Sequence, residues 1–340
     1  MNDATTNGRI GSDPFRPIAG RAQIVVTGRI PDSGLEILRA SGEVWAWTED
    51  EPIPTDVRDA RLADADAAVT LLTDRVDHAF LAAAPKLRVV ANVAVGYDNV
   101  DVAACNARGV AVTNTPGVLT DATADLTLAL LLMVTRRLGE GERLIRSGTH
   151  WKWGMAMMLG TGVQGRRLGV VGLGAIGEAV ATRARAFGMD IVYHNRSAVD
   201  RETERRLGAT LVTLDELLAT SDVVSLHCPS SEATHHLIDD AALASMRSDS
   251  FLINTARGPI VDEAALVEAL TSGTIAGAAL DVYENEPDVH PGLLGLDNVV
   301  MVPHLGSATV ETRSAMADLA ARNVVAILAG DEPLTPVGGR

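Results

Sequence analysis

Short apolar runs alternate along this chain with longer amphipathic stretches, over residues 22–114 and again from residue 168 onward. In the first half, residues 23–27, 44–47, 67–71, 87–92 and 110–114 predict strands, with helices between them such as 34–40 and 76–83. Strand alternating with helix implies a parallel sheet covered on both faces. A long helix over 122–137 follows, with Thr120 or Asp121 as its expected cap. The second half repeats the alternation, with strands at 168–171, 191–194, 223–227, 250–254, 276–281 and 299–302. Its helices fall at 178–187, 214–219, 240–246 and 262–270. The predicted class is α/β, with two doubly wound parallel-sheet domains. A last helix over 308–328 follows the sixth strand, and periodicity leaves open which of the two sheets it joins.

Between the strand at 168–171 and the helix at 178–187 stands Gly172-Leu173-Gly174-Ala175-Ile176-Gly177. A glycine pattern alone is weak, and an ordinary turn in an Ala-rich chain would account for it. Strand before and helix after give it weight as a dinucleotide fingerprint. Gly172 permits the tight turn, Gly174 lets backbone approach a pyrophosphate, and Gly177 lets the helix pack close to the strand. Six strands is also the count such a sheet wants. An acid at the end of the next strand would take the ribose 2′-hydroxyl of NAD. That strand ends instead in His194-Asn195-Arg196-Ser197, and Asp190 lies at its beginning. Arg196 offers a planar fork for a 2′-phosphate, and Asn195 and Ser197 add neutral hydrogen bonds. A solvated loop arginine is the bland reading. The missing acid and the added base together predict NADP(H), with NAD(H) as the alternative.

Composition narrows the partners. Apolar residues make up 47% and aromatics only 3%, so the cores are built of Ala, Val and Leu. A net charge of −15 argues against nucleic acid, whose phosphates need basic surface. An anionic substrate would then need local arginines. Cys105 and Cys228 form no disulfide framework and fit a reducing cytoplasm. The longest apolar run, 126–134, falls well short of the ~20 residues that span a bilayer. The polar N-terminus lacks a signal core, so a cytoplasmic protein without a membrane partner is expected. Residues 1–20 and 332–340 read as loose tails, and no metal site is expected.

Ligands of open α/β sheets bind at the carboxyl ends of strands. Arg257, Glu286 and His304 each follow a predicted strand of the second half. Taken singly, each has a structural reading: Arg257 as a turn cap, His304 as a histidine after Pro303, Glu286 as one of two equal acids beside Glu284. Together they are the groups that reduction of a 2-oxoacid requires. An arginine anchors the carboxylate and polarises the carbonyl, an imidazolium gives the proton, and a carboxylate orients that ring.

These residues resemble the D-isomer-specific 2-hydroxyacid dehydrogenase family over roughly residues 22–330. The likeness rests on Val95-Gly96-Tyr97-Asp98-Asn99-Val100-Asp101, the glycine fingerprint, Asn254-Thr255-Ala256-Arg257-Gly258, Ala279-Leu280-Asp281-Val282-Tyr283 with Glu286-Pro287, and Pro303-His304-Leu305-Gly306-Ser307-Ala308-Thr309. The resemblance implies that Glu286 rather than Glu284 is the catalytic acid, with Arg257 on substrate and His304 as acid/base. It places cofactor contacts at Leu173 to Ile176, Asn195 to Ser197, Cys228, Pro229, Thr255, Ala256, Asp281 and Gly306. Backbone amides at Val95 and Gly96 would hold the substrate carboxylate. The family fold implies a Rossmann cofactor domain, 118–307, inserted into a flavodoxin-like substrate domain, 20–117 plus 308–335, with hinges near Pro116 and Ser307. It also implies a homodimer with the 122–137 helix and following loop in the interface. The run from Val192 to Arg196 resembles the NADPH-preferring glyoxylate/hydroxypyruvate reductase branch, which makes D-2-hydroxyacids. Residues 151–159 lie where relatives reach a neighbouring subunit's pocket, or they are plain interface packing. Two rivals stand beside this reading: a nucleotide-sensing co-repressor-like protein and a phosphoglycerate-type NAD dehydrogenase.

Overall fold

The computed structural model describes residues 20–338. The tail expected before residue 20 and the final two residues lie outside the described residues. The chain divides into two compact units: one runs up to Pro116 and resumes at Arg313, the other is Gly117–Thr312.

The first unit alternates β1 (Ala22–Val26), α1 (Asp32–Ser41), β2 (Gly42–Ala46), α2 (Thr55–Leu62), β3 (Ala67–Thr70), α3 (His78–Ala83), β4 (Val89–Asn92), α4 (Val102–Ala107) and β5 (Ala111–Thr113). The five strands are parallel in the order β2-β1-β3-β4-β5, the doubly wound arrangement of flavodoxin-like sheets. Period-2 alternation sends Val25, Ala68, Val90 and Val112 to one buried cluster with Phe80 and Leu81. Ile24, Val26, Val69 and Ala91 go to the other face. There Leu35 and Leu38 of α1 meet Ala317, Ala320, Ala321 and Val324 of the chain's last helix. Gly34 makes that meeting close, since a Cβ there would stand 2.8 Å from the Ala317 Cβ.

The second unit holds α5 (Thr120–Thr135), α6 (Leu138–Arg146), β6 (Arg167–Val171), α7 (Ala175–Ala186), β7 (Asp190–His194), α8 (Arg201–Leu207), β8 (Ala209–Leu211), α9 (Leu214–Thr220), β9 (Val223–Leu226), α10 (Asp240–Ser245), β10 (Phe251–Asn254), α11 (Glu263–Ser272), β11 (Gly277–Leu280) and β12 (Val299–Met301). Its parallel sheet has the order β12-β11-β10-β9-β6-β7-β8, so the chain reverses its direction of travel between β6 and β9. That is the dinucleotide-binding order with one further strand, and the switch point is where such sheets bind ligands. The expected α/β class with two doubly wound sheets is what the chain adopts.

Four details differ from expectation. The second sheet has seven strands rather than six, because β8 buries only Ala209 while Thr210 and Leu211 are exposed, and no apolar run marks it. The cap of α5 is Leu119, with no side-chain cap bond, and not Thr120 or Asp121. The last helix, α12 (Val310–Ala329), contains the boundary between units, which falls after Thr312 rather than before residue 308. Residues 332–338 are no loose tail. Thr335 bonds Asn323 and the Asn114 carbonyl, and the Val337 amide donates to Val112 (2.8 Å) with its side chain buried. Among the described residues, no helix is long and apolar enough to cross a membrane.

Candidate active site

The glycine loop is built by close approach. Gly172 has φ +97°, and a Cβ there would lie 2.6 Å from the Cys228 amide nitrogen. At Gly177 a Cβ would meet the Gly172 carbonyl at 2.4 Å, so α7 starts tight against β6. Gly174 faces open space and caps α7 without a side-chain bond. The first-turn amides of Ala175, Ile176 and Gly177 are therefore claimed by no capping side chain, and the nearby Glu178 carboxylate is turned to Arg206 at 2.6 Å. Open space in front of unclaimed amides at a helix N-terminus fits a dinucleotide's phosphates.

At the end of β7, Asn195 accepts from the Leu173 amide (2.6 Å) and donates to the Leu173 carbonyl (3.3 Å). Its side chain is thus committed to the loop, while Arg196 and Ser197 stand exposed beside it. Beyond β9, Cys228 and Pro229 flank the same loop. Burial pushes the Cys228 thiol up to about 11 and the neighbouring His227 down to about 4, so both are neutral near pH 7. His227 Nε2 shares a hydrogen bond with the Ser225 hydroxyl (2.8 Å).

Arg257 follows β10 in a turn pinned by Asn254, whose Nδ2 donates to the Arg257 carbonyl (2.9 Å) and whose Oδ1 accepts from the Ala256 amide (3.1 Å). The next residue, Gly258, lies against the Tyr283 peptide so closely that a Cβ would sit 1.8 Å from it. Only glycine allows the Arg257 turn and the loop after β11 to pack there. In that loop Tyr283 donates its amide to Glu286 Oε1 (3.0 Å), and Glu286 Oε2 meets His304 Nδ1 at 2.8 Å. Burial would raise the Glu286 carboxyl, but the bond and charge of His304, the Tyr283 amide and Arg257 hold it below its usual range.

His304 follows β12 with φ +50°, a left-handed conformation rare outside glycine. Asp281, at the end of β11, keeps it there. Its carbonyl accepts from the His304 amide (2.8 Å), and its carboxylate accepts from the amides of Leu305 and Gly306, the latter at 2.8 Å. Burial raises the Asp281 carboxyl, opposed by those amides and by His304. Glu284 belongs elsewhere: its Oε1 meets His236 Nε2 at 2.8 Å. Of the two acids, Glu286 faces His304.

Two buried threonines of α5, which no motif marks, hold these loops. Thr123 donates to the Gly306 carbonyl (3.1 Å), and Thr127 donates to the Thr123 carbonyl (2.8 Å). With its one proton so used, Thr127 accepts from the Thr255 hydroxyl at 2.9 Å. Threonines four apart inside a leucine-rich helix were the visible signal. In the first unit, the loop after β4 has its carbonyls held: Asn114 donates to Val95 O (2.8 Å) and Asn92 to Gly96 O (3.0 Å). Among the described residues, the Val95 and Gly96 amides donate to no protein group. Leu159 lines a cavity of about 290 Å³ with Phe251, Ala276 and Val299, at the amino ends of β10 to β12 and so at the other end of those strands from Arg257, Glu286 and His304.

Residues 128–306 match the sequence family described as "D-isomer specific 2-hydroxyacid dehydrogenase, NAD binding domain". The glyoxylate reductase of Thermococcus litoralis is 46% identical over 318 residues, 92% of this chain and 96% of that protein. The chain belongs to the D-isomer-specific 2-hydroxyacid dehydrogenase family. It is an NAD(P)-dependent oxidoreductase of the 2-hydroxyacid/2-oxoacid pair. Among solved structures of this dehydrogenase family, a glyoxylate reductase from Paecilomyes thermophila superposes with a TM-score of 0.85 at 35% identity, over 94% of this chain and 98% of that one. An NADPH-dependent glyoxylate/hydroxypyruvate reductase from Sinorhizobium meliloti, in complex with NADP and malonate, gives 0.80 at 38% identity, over 94% and 97%.

Proposed function

We propose that this dehydrogenase works as an NADPH-preferring reductase of small 2-oxoacids, glyoxylate or hydroxypyruvate foremost, giving D-2-hydroxyacids. The observation that carries the reading is the 2.8 Å His304–Glu286 pair standing with Arg257 at the carboxyl ends of neighbouring strands. The Glu286 carboxylate can only accept, so His304 Nδ1 carries a proton toward it. For the ring to act as the acid, the proton it gives to a carbonyl becoming an alkoxide would come from Nε2, the nitrogen that Glu286 leaves free. Arg257 binds the substrate carboxylate with its guanidinium fork, which also draws charge toward the reacting carbonyl. Val95 and Gly96 keep the role the family likeness gives them, as amide donors to that carboxylate. Bound at the glycine loop, the reduced nicotinamide cofactor supplies the hydride.

Two features support NADPH. No carboxylate stands at the end of β7, and Arg196 is exposed there. The Sinorhizobium relative is also NADPH-dependent. A homodimer is supported by α6 and the chain after it. That helix has no buried residue, and Ile145, Trp153, Met155 and Leu159 are each at least 60% exposed in the single chain. An apolar surface of that kind marks an interface.

The test is absorbance at 340 nm with glyoxylate, hydroxypyruvate and phenylpyruvate, each with NADPH and with NADH. Rapid NADPH loss with a short acid is expected. A tenfold or greater NADH preference would remove the role of Arg196 and leave the rest standing. No turnover with any pair would overturn the reductase reading in favour of a nucleotide-sensing protein.

A further inference from the structure

Glu284, which the His304 pairing leaves unused, anchors a second cluster. We propose that His235, His236 and Glu284 form a binding site for one divalent transition-metal ion of the zinc type. One ligand atom from each residue lies within 4.8 Å of the other two.

The local fold sets this up. After β9 the chain turns through Ser231 and Thr234, with Thr234 accepting from the Ser231 amide (2.9 Å) and the His235 amide donating to Ser231 O (2.9 Å). The His236 amide is then held by the Pro259 carbonyl at 2.8 Å. These bonds bring the two adjacent imidazoles to the same side, with ring centroids 4.0 Å apart and planes 26° from parallel. Glu284 arrives from the loop after β11. Its amide donates to Glu263 Oε1 (2.7 Å), which fixes the backbone from which its carboxylate reaches His236.

An ion pair accounts for His236 and Glu284 but not for His235. That ring is exposed, makes no side-chain hydrogen bond among the described residues, and is nevertheless held over its neighbour. A metal ion accounts for all three. Two imidazole nitrogens and one carboxylate oxygen are the donors of zinc and its neighbours, with water as the fourth ligand. Calcium and magnesium would want more oxygens. Ligands at ~2.0–2.2 Å from zinc in a tetrahedron stand roughly 3.4 Å apart, so the exposed His235 ring has to turn out of its stack on His236 to bring an in-plane nitrogen onto the shared ion. Asp262 stands near the other ring nitrogen, where metal-bound histidines usually have a carboxylate: its Oδ2 is 3.7 Å from His236 Nδ1, beyond hydrogen-bond length, and its Oδ1 is fixed by the Ala265 amide at 3.0 Å. Bound there, the ion would tie the turn at 231–237 to the loop that carries Glu286, without using Arg257, Glu286 or His304.

The experiment is titration of the chelator-treated full chain with Co2+, read by its visible absorption, followed by Zn2+ competition. One equivalent with the intense bands of tetrahedral cobalt is expected. His235→Ala should weaken binding by about tenfold or more. Because His235 is exposed and outside the catalytic set, that variant should keep its fold and its reductase rate. Glu284→Gln should lose the site as well, whereas His304→Ala should bind as the parent does. Equal affinity in the parent and His235→Ala overturns the proposal. Binding that His304→Ala abolishes also overturns it, since the ion would then sit at the catalytic pair. Absence of a one-equivalent site in the parent overturns it too.

Discussion

His304 holds a left-handed backbone against the preference of its own side chain, and Asp281 pays for that geometry with three acceptor positions. The family likeness gives Asp281 a cofactor contact, but both of its carboxylate oxygens are occupied by the His304 loop. A positioning role is the expectation those bonds support. Asp281→Asn replaces one acceptor by a donor facing an amide, so the loop must shift. A displacement of that order costs about 10²-fold in kcat, while the NADPH Kd should stay within threefold. Stopped assays and fluorescence titration separate the two; a large loss of NADPH affinity would make Asp281 a cofactor ligand after all. Glu286 gives a pH signature. Its folded pKa lies below its usual 4.5, so its contribution to stability is complete above pH 4.5 and fades as pH falls through the lower folded value. The Tm difference between the parent and Glu286→Gln should therefore be largest above pH 4.5 and narrow in acid. A difference growing in acid would mean the carboxyl is raised, not lowered. At this scale the residue types were legible, and the choice of Glu286 over Glu284 came from the family likeness and not from the residues' own placement. Both follow the same strand, and only the loop's bonds to Tyr283 and Glu263 aim them at different histidines.

Helix α5 shows what an element adds that no motif announces. Its apolar face packs on the sheet, and along the same face Thr123 and Thr127 hold the loops bearing His304 and Arg257 through Gly306 O and Thr255 Oγ1. Thr127→Val keeps the shape but leaves the Thr255 hydroxyl buried without its acceptor, a cost of about 1–3 kcal/mol. Lower thermal stability and a fall in kcat are expected together, with Thr127→Ser restoring both. If Thr127→Val alone kept kcat within twofold, the clamp would be structural only. Helix α5 was readable because its periodicity is long. Strand β8 was not, because only Ala209 of its residues is buried. The segment 332–338 was misread for a related reason: its proline and glycine content describes turns, and nothing local records that Asn323 and Val112 supply its partners.

At the scale of the molecule, the glycine loop, Arg196, Arg257, Glu286 and His304 all fall inside one uninterrupted stretch, Gly117–Thr312. The other unit is discontinuous in sequence. Repetition of strand and helix made two sheets legible, but the place where the last helix leaves the second unit was not, because α12 has no break at Thr312 for a pattern to reveal. The contiguous stretch carries a seven-stranded parallel sheet with a buried cluster on each face, built by β6 to β12 and the helices between them. A sheet covered on both faces by its own helices has what independent folding requires. A fragment of residues 117–312 should therefore melt cooperatively by circular dichroism. It should also bind NADPH with a Kd within about tenfold of the whole chain's, because every residue assigned to the cofactor lies within it. An unfolded fragment would show that the second unit depends on the first. A folded fragment without NADPH affinity would move part of the cofactor site to the residues left out, and the glycine loop could no longer be its sole anchor.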